Sequence, residues 1–209
     1  MKITTLLISL SLFPMLSHAA SNPYNYVTSV KVNQVELNVP VTAHQVSQLL
    51  APTTGKTSKL YAECTGNYEY SITSAQPKTL KFEIFNEDNP KIQAEKFYKD
   101  KTNFKQLGQT KGRVWLDWKS TQAMSENIRV QNIQITPNYT LQQFKQDFKY
   151  SAQGMAASGE AQVLLLQPNE IKAFLKEPQD FAPPYTAYLN FGFRNGRLNS
   201  FAIQQAVAC

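Results

Sequence analysis

Histidine, cysteine and glycine are all scarce in this 209-residue chain, and each shortage closes off a class of chemistry. The two histidines are His18 and His44, and His18 falls in an N-terminal segment that reads as removed on export. Histidine is the usual general base and metal ligand near neutral pH. A serine or cysteine nucleophile would need His44 as its base, and nothing in the local sequence marks such a partner. His44 falls in the first turn of an expected helix, the position of a solvated surface side chain. With one mature histidine and two cysteines, a zinc site would need several carboxylates. The eight glycines form neither a phosphate-binding loop nor a Gly-x-Ser-x-Gly elbow, and there is no His-Glu-x-x-His helix. No metal, no cofactor and no histidine-based catalysis are expected.

Long apolar runs are also missing. The run from Ile3 to Leu16 follows Met1-Lys2 and precedes Ser17-His18-Ala19-Ala20-Ser21, the charged, apolar and small-residue order of a secretory signal. It is too short to cross a bilayer core of about 30 Å. Cleavage is expected after Ala19, leaving a soluble protein that is periplasmic or, alternatively, secreted. Cys64, the first cysteine, is far from that point, which argues against lipid attachment. Cys64 and Cys209 are the only cysteines, and an exported pair usually closes. A bridge between them encloses about 145 residues, worth on the order of 4–5 kcal/mol in the chain-entropy model.

What the sequence does contain is an internal echo. Lys31-Val32-Asn33-Gln34-Val35-Glu36-Leu37 lines up with Arg129-Val130-Gln131-Asn132-Ile133-Gln134-Ile135, and both alternate as half-buried strands do. Each precedes Thr-x-x-Gln, at Thr42–Gln45 and Thr140–Gln143, the spacing of a capping box that opens a helix. Helices are expected over 43–50 and 141–149. A second match pairs Leu80–Asn86 with Leu189–Asn195. Further strands are expected near 60–64, 68–73, 79–85, 113–119, 161–167, 185–193 and 198–208, with a helix from Pro90. Asn195-Gly196 marks a hairpin, and the small-residue stretch Ser151–Ala161 reads as a mobile loop.

These features imply an α+β fold with two similar helix-on-antiparallel-sheet halves in tandem. The ranges are a signal at 1–19, an N-terminal segment at 20–30, a first half at 31–120 carrying an inserted basic helix, and a second half at 129–209. The two Thr-capped helices and the late Phe191–Leu198 hairpin (Phe-x-Phe-x-Asn-Gly-x-Leu) resemble the tandem domains of beta-lactamase-inhibitor protein. They also resemble the small lipoprotein of the outer-membrane assembly machine. The first half departs from that pattern, since no glycine follows Asn86. The resemblance implies protein binding, often through a sheet face, and transfers no functional residue.

Charge is unevenly spread. Lys91, Lys96, Lys99, Lys101, Lys105, Lys111 and Arg113 face only Glu95 and Asp100, and this one stretch holds the whole excess of the mature chain. A basic helix attracts an acidic protein, anionic glycan or lipid phosphates, or simply covers apolar surface with its lysine stems. Nucleic acid is disfavoured by compartment. Trp115 and Trp118, the only tryptophans, lie three apart on one expected strand and so on opposite faces. At most one enters the core, and the other, beside Arg113, suits an interface anchor.

The candidate binding residues are therefore Lys96, Lys99, Lys101, Arg113, Trp115 and Trp118. The functional expectation is an exported envelope protein that binds a protein partner, as an inhibitor, immunity protein or assembly accessory factor. Two alternatives stand beside it. One is a cell-wall glycan hydrolase working through carboxylates among Glu63, Glu69, Glu83 and Asp117; the other is a purely structural envelope role. Terminal sequencing of protein recovered from the envelope is expected to begin at Ala20, and a mature chain that still carries Ile3–Leu16 would contradict the export reading.

Overall fold

Alternation along 114–119, where Val114, Leu116 and Trp118 are buried and Asp117 and Lys119 are exposed, sets the frame, because it turns one side of the strand toward a core and the other outward. The computed structural model describes residues 24–37, 41–42, 45, 56–62, 67–73, 80–84, 111–124, 126–178 and 185–207. For 56–62, 67–73, 80–84, 111–113, 185–186 and 206–207 it gives the backbone alone. The expected leader, the helix from Pro90, Glu63 and both cysteines lie outside the described residues.

The larger sheet is built from β1 (Tyr26–Val27), β4 (Val41–Thr42), β5 (Lys56–Ala62), β6 (Asn67–Thr73), β7 (Leu80–Ile84), β8 (Lys111–Lys119), β11 (Glu160–Leu165), β12 (Tyr185–Arg194) and β13 (Arg197–Val207). Its order is β1-β11-β12-β13-β8-β7-β6-β5, with β4 attached to β8. All pairings are antiparallel except that of β1 with β11. A smaller sheet runs β10-β9-β2-β3, from β2 (Val30–Val32), β3 (Val35–Glu36), β9 (Ile128–Val130) and β10 (Ile133–Ile135). Three short helices complete the described elements: α1 (Leu141–Asp147), α2 (Lys149–Gln153) and α3 (Ile171–Lys176). The fold class is α+β.

The two segments expected to be strands, 31–37 and 129–135, are each a hairpin. Asn33 and Gln34 take φ of 49° and 69°, and Gln131 takes 52°, so two-residue turns interrupt both. Alternation survives such a turn, which is why the sequence looked continuous. The hairpins then pair through β2 and β9, with Lys31 opposite Arg129, Val30 opposite Val130 and Val32 opposite Ile128. Backbone bonds close both ends: Asn33 N donates to Asn127 O at 2.8 Å, and Gln131 N donates to Ser29 O at 2.9 Å.

Both capping boxes form. The Thr140 hydroxyl accepts from Gln143 N at 3.2 Å while the Gln143 amide oxygen accepts from Thr140 N at 2.9 Å. Thr42 and Gln45 make the same reciprocal pair at 3.3 and 2.9 Å. The expected 141–149 helix breaks at Phe148 (φ −132°, ψ 62°), after which α2 continues.

Between the small sheet with α1 and the inner face of the large sheet lies one core. Val30, Val32, Ile128 and Val130 meet Leu116, Trp118, Leu189 and Ile203 there. Phe144 and Phe148 of the α1 turn pack on Phe191, with ring centroids 4.9 and 5.7 Å apart, and Phe201 meets Phe191 edge-on at 5.0 Å. Burying such a ring contributes roughly 1.5–3 kcal/mol, and truncating one costs about 3–5 kcal/mol with its cavity. A second cluster of Leu164, Leu166 and Phe174 places α3 on the other side of the sheet.

Within Ser151–Ala161 the helix α2 runs on to Gln153 and β11 begins at Glu160, so the expected loop is reduced to the turn at 154–159. Ser151 is buried and its Oγ accepts from Asn25 N at 2.9 Å. Gly159 has φ +86°, and a Cβ there would stand 2.5 Å from Phe193 O. The expected Cys64–Cys209 bridge falls on residues outside the described ones and finds no support.

Tyr139 is buried, and its hydroxyl donates to Asp147 Oδ2 at 2.7 Å. Burial pushes its pKa upward, and the hydrogen bond to the Asp147 carboxylate and that group's charge add to the rise. The folded state therefore disfavours tyrosinate. This contribution is intact below the ordinary tyrosine value of about 10 and is lost as pH climbs beyond it. Tyr139→Phe is expected to cost about 1–2 kcal/mol near neutral pH and to flatten the alkaline decline, as read by urea unfolding at pH 7 and above 10.

Candidate functional site

The outer face of the large sheet is organised by the registers of β11, β12, β13 and β8. One rung runs Leu164, Tyr188, Gln204 and Trp115. The next runs Gln162, Asn190, Ala202 and Asp117, and a third runs Glu160, Gly192, Ser200 and Lys119. Small residues at Gly192, Ser200 and Ala202 lower the floor between the larger side chains, and α3 covers only the Leu164 end.

Three carboxamides form a chain across this floor. Gln162 Nε2 donates to Asn190 Oδ1 at 2.9 Å, and Asn190 Nδ2 donates to Gln204 Oε1 at 2.9 Å. The chain fixes the orientation of Asn190, whose donor and acceptor are both engaged. Gln162 Oε1 and Gln204 Nε2 stand at its two ends, without a hydrogen bond among the described residues. A cleft of about 470 Å³ opens beside it, bounded by Tyr24, Ser151, Glu160, Gly192, Ser200 and these amides. Gly192 keeps the cleft open, since a Cβ there would lie 2.3 Å from Ser200 Oγ.

Strand geometry separates the two tryptophans as expected. Trp118 is 1% exposed, packs in the inner core and donates its indole N–H to Gln122 O at 3.1 Å. That corrects its candidacy as a surface anchor, because a side chain so buried has almost no area to offer a protein partner. Trp115 is half-buried on the outer rung opposite Gln204. Arg113 falls on β8 opposite Glu83 of β7, with backbone alone described. Lys96, Lys99, Lys101 and His44 lie outside the described residues. Of the candidate carboxylates, Asp117 is exposed on the middle rung. Glu69 and Glu83 are described by backbone only, on β6 and β7.

Sequence reasoning did not single out Gln162, Asn190 or Gln204. Each stands at a polar position of an alternating strand, and only the register reveals that they line up. Among the described residues, no group of three or more histidines, cysteines or acidic residues is placed to hold a metal ion. No described helix is long and apolar enough to cross a membrane.

Comparison with known proteins leaves the site to be read from its own chemistry. No family model matches the chain, and no significant match appears among curated proteins or solved structures.

The opposite-face placement is checked by fluorescence quenching. Acrylamide is expected to quench Trp115 in the Trp118→Phe variant, and Trp115→Phe is expected to leave an emission that is blue-shifted and nearly unquenched.

Proposed function

We propose that this chain is an exported envelope protein made of two fused copies of one helix-on-sheet unit, and that it binds a protein partner through the outer face of its large sheet. Duplication is supported by the registers. The 98-residue offset that relates Lys31 to Arg129 also relates Asn33 to Gln131 and Ser29 to Asn127, so the two closing backbone bonds are counterparts. Antiparallel pairing of a segment with its own counterpart is what a two-fold axis produces. In the large sheet β7 pairs with β8 and β12 pairs with β13, and β8 meets β13 at Leu116 opposite Ile203. Along the strand order four strands then stand on each side of that contact, with β4 attached to β8 in addition.

The observation that carries the binding reading is the outer rung pattern: half-buried Trp115 and exposed Asp117 beside an amide chain over a small-residue floor. Interfaces favour aromatic anchors ringed by hydrogen-bonding groups. A folded loop is the fitting occupant. β11, β12, β13 and β8 each have a strand on both sides, so this face offers no free edge for an added strand. Inhibition of a hydrolase or service as an assembly accessory are two forms such binding takes. The acidic partner suggested by Lys96, Lys99 and Lys101 belongs to the same proposal, as does the periplasmic location.

The test uses the full mature chain as bait in an envelope extract. A retained protein is expected to be released by Trp115→Ala combined with Asn190→Ala, and to stay bound when exposed Leu175 is changed to Ala. If the lysines contribute, raising salt from 0.05 to 0.5 M should weaken the complex several-fold. Retention that ignores the double substitution removes the sheet face from the proposal. Turnover of cell-wall glycan that disappears with Asp117→Asn would replace the binding reading with the hydrolase one.

A further inference from the structure

The β12–β13 hairpin carries two arginines where a sheet has reason to avoid them. Arg194 and Arg197 are direct cross-strand partners on either side of the Asn195-Gly196 turn, and both are exposed. Like charges placed directly opposite each other destabilise a hairpin. The turn itself is well specified by φ of 52° and 76° at Asn195 and Gly196, so the arginines do not serve to form it. Neither takes part in the ion pairs found among the described residues, Lys31–Glu36 and Lys176–Glu177.

The pair stands on a rigid base. Leu141 N donates to Gly196 O at 3.0 Å and Leu198 N donates to Tyr139 O at 2.9 Å, so the hairpin tip is stitched to the chain that leads into α1. Both arginines border a cleft of about 420 Å³, within the ~300–1,000 Å³ range of small-molecule sites. Met124, Pro137 and Leu198 give that cleft an apolar wall, and Ser120 and Asn199 give it a polar rim, held together by a Ser120 Oγ to Asn199 Oδ1 bond of 2.8 Å.

We infer that this cleft is a binding site for an anionic group, a phosphate, sulfate or carboxylate, attached to a small ring or short apolar body. Two guanidinium forks can each hold such a group with paired N–H donors, and binding converts the repulsion between Arg194 and Arg197 into shared attraction. The wall of Met124 and Pro137 takes the body that carries the charge. The site lies at the hairpin end of the sheet and stands independently of the protein-binding face.

Calorimetric titration of the mature protein tests this with glucose 1-phosphate, glucose as neutral control, and vesicles with or without phosphatidylglycerol. Saturable binding of the sugar phosphate and none of glucose is expected. Arg194→Ala and Arg197→Ala should each weaken it about tenfold, or about 1.4 kcal/mol. Arg197→Lys, which keeps the charge and loses the fork, should fall between wild type and Arg197→Ala. Binding of the phosphatidylglycerol vesicles alone, with the same dependence on both arginines, supports the site and assigns it a lipid headgroup. Failure of both anionic probes to bind, or binding that both alanine variants retain in full while circular dichroism shows them folded, overturns it.

Discussion

The pairing of β8 with β13 is the constraint on which the rest hangs. Leu116 and Trp118 on one strand, and Phe201 and Ile203 on the other, supply the middle of the core. Trp115, Asp117, Ala202 and Gln204 face outward from the same backbone. Because side chains alternate with period two, slipping one strand by a single residue would send its buried row to solvent and its exposed row inward. Sending Leu116 and Trp118 out of the core and bringing Asp117 and Lys119 into it would forfeit several kcal/mol of burial. Core packing and the candidate binding surface are therefore set by one register.

How much of this was legible in the sequence depended on whether the signal was local. Thr140–Gln143 and Thr42–Gln45 announced themselves because a capping box is complete within four residues. Asn195-Gly196 did so because few other dipeptides accept two positive φ angles. The hairpins at 31–36 and 129–135 were hidden, since Asn33-Gln34 and Gln131-Asn132 lack glycine and the alternation runs unbroken through the turns. The break at Phe148 was hidden too, because its apolar side chain belongs to the helical pattern even where its backbone leaves the helix.

The candidate site was least legible, for a physical reason. Gln162, Asn190 and Gln204 are far apart in sequence, and each is an ordinary solvent-side residue until the sheet aligns them. The tryptophans pointed to the right strand and to opposite faces, yet alternation alone did not say which face was interior. That decision came from Phe144, Phe148 and Phe191, whose mutual packing places the core on the side of Trp118. The small sheet joins segments about 98 residues apart, a pairing that no local pattern announces.

β1 has a further consequence. Tyr26 and Val27 lie parallel to Leu164 and Leu165, and Asn25 Oδ1 accepts from the backbone N–H groups of Tyr150 and Ser151 at 2.8 and 3.0 Å. A chain emerging from its N-terminus, whether from a ribosome or through a translocation pore, thus delivers one edge of the sheet long before the strand it pairs with. Such non-local closure slows folding. Tyr26 and Val27 must wait, unpartnered and open to chaperones or proteases, until about two-thirds of the polypeptide has followed them.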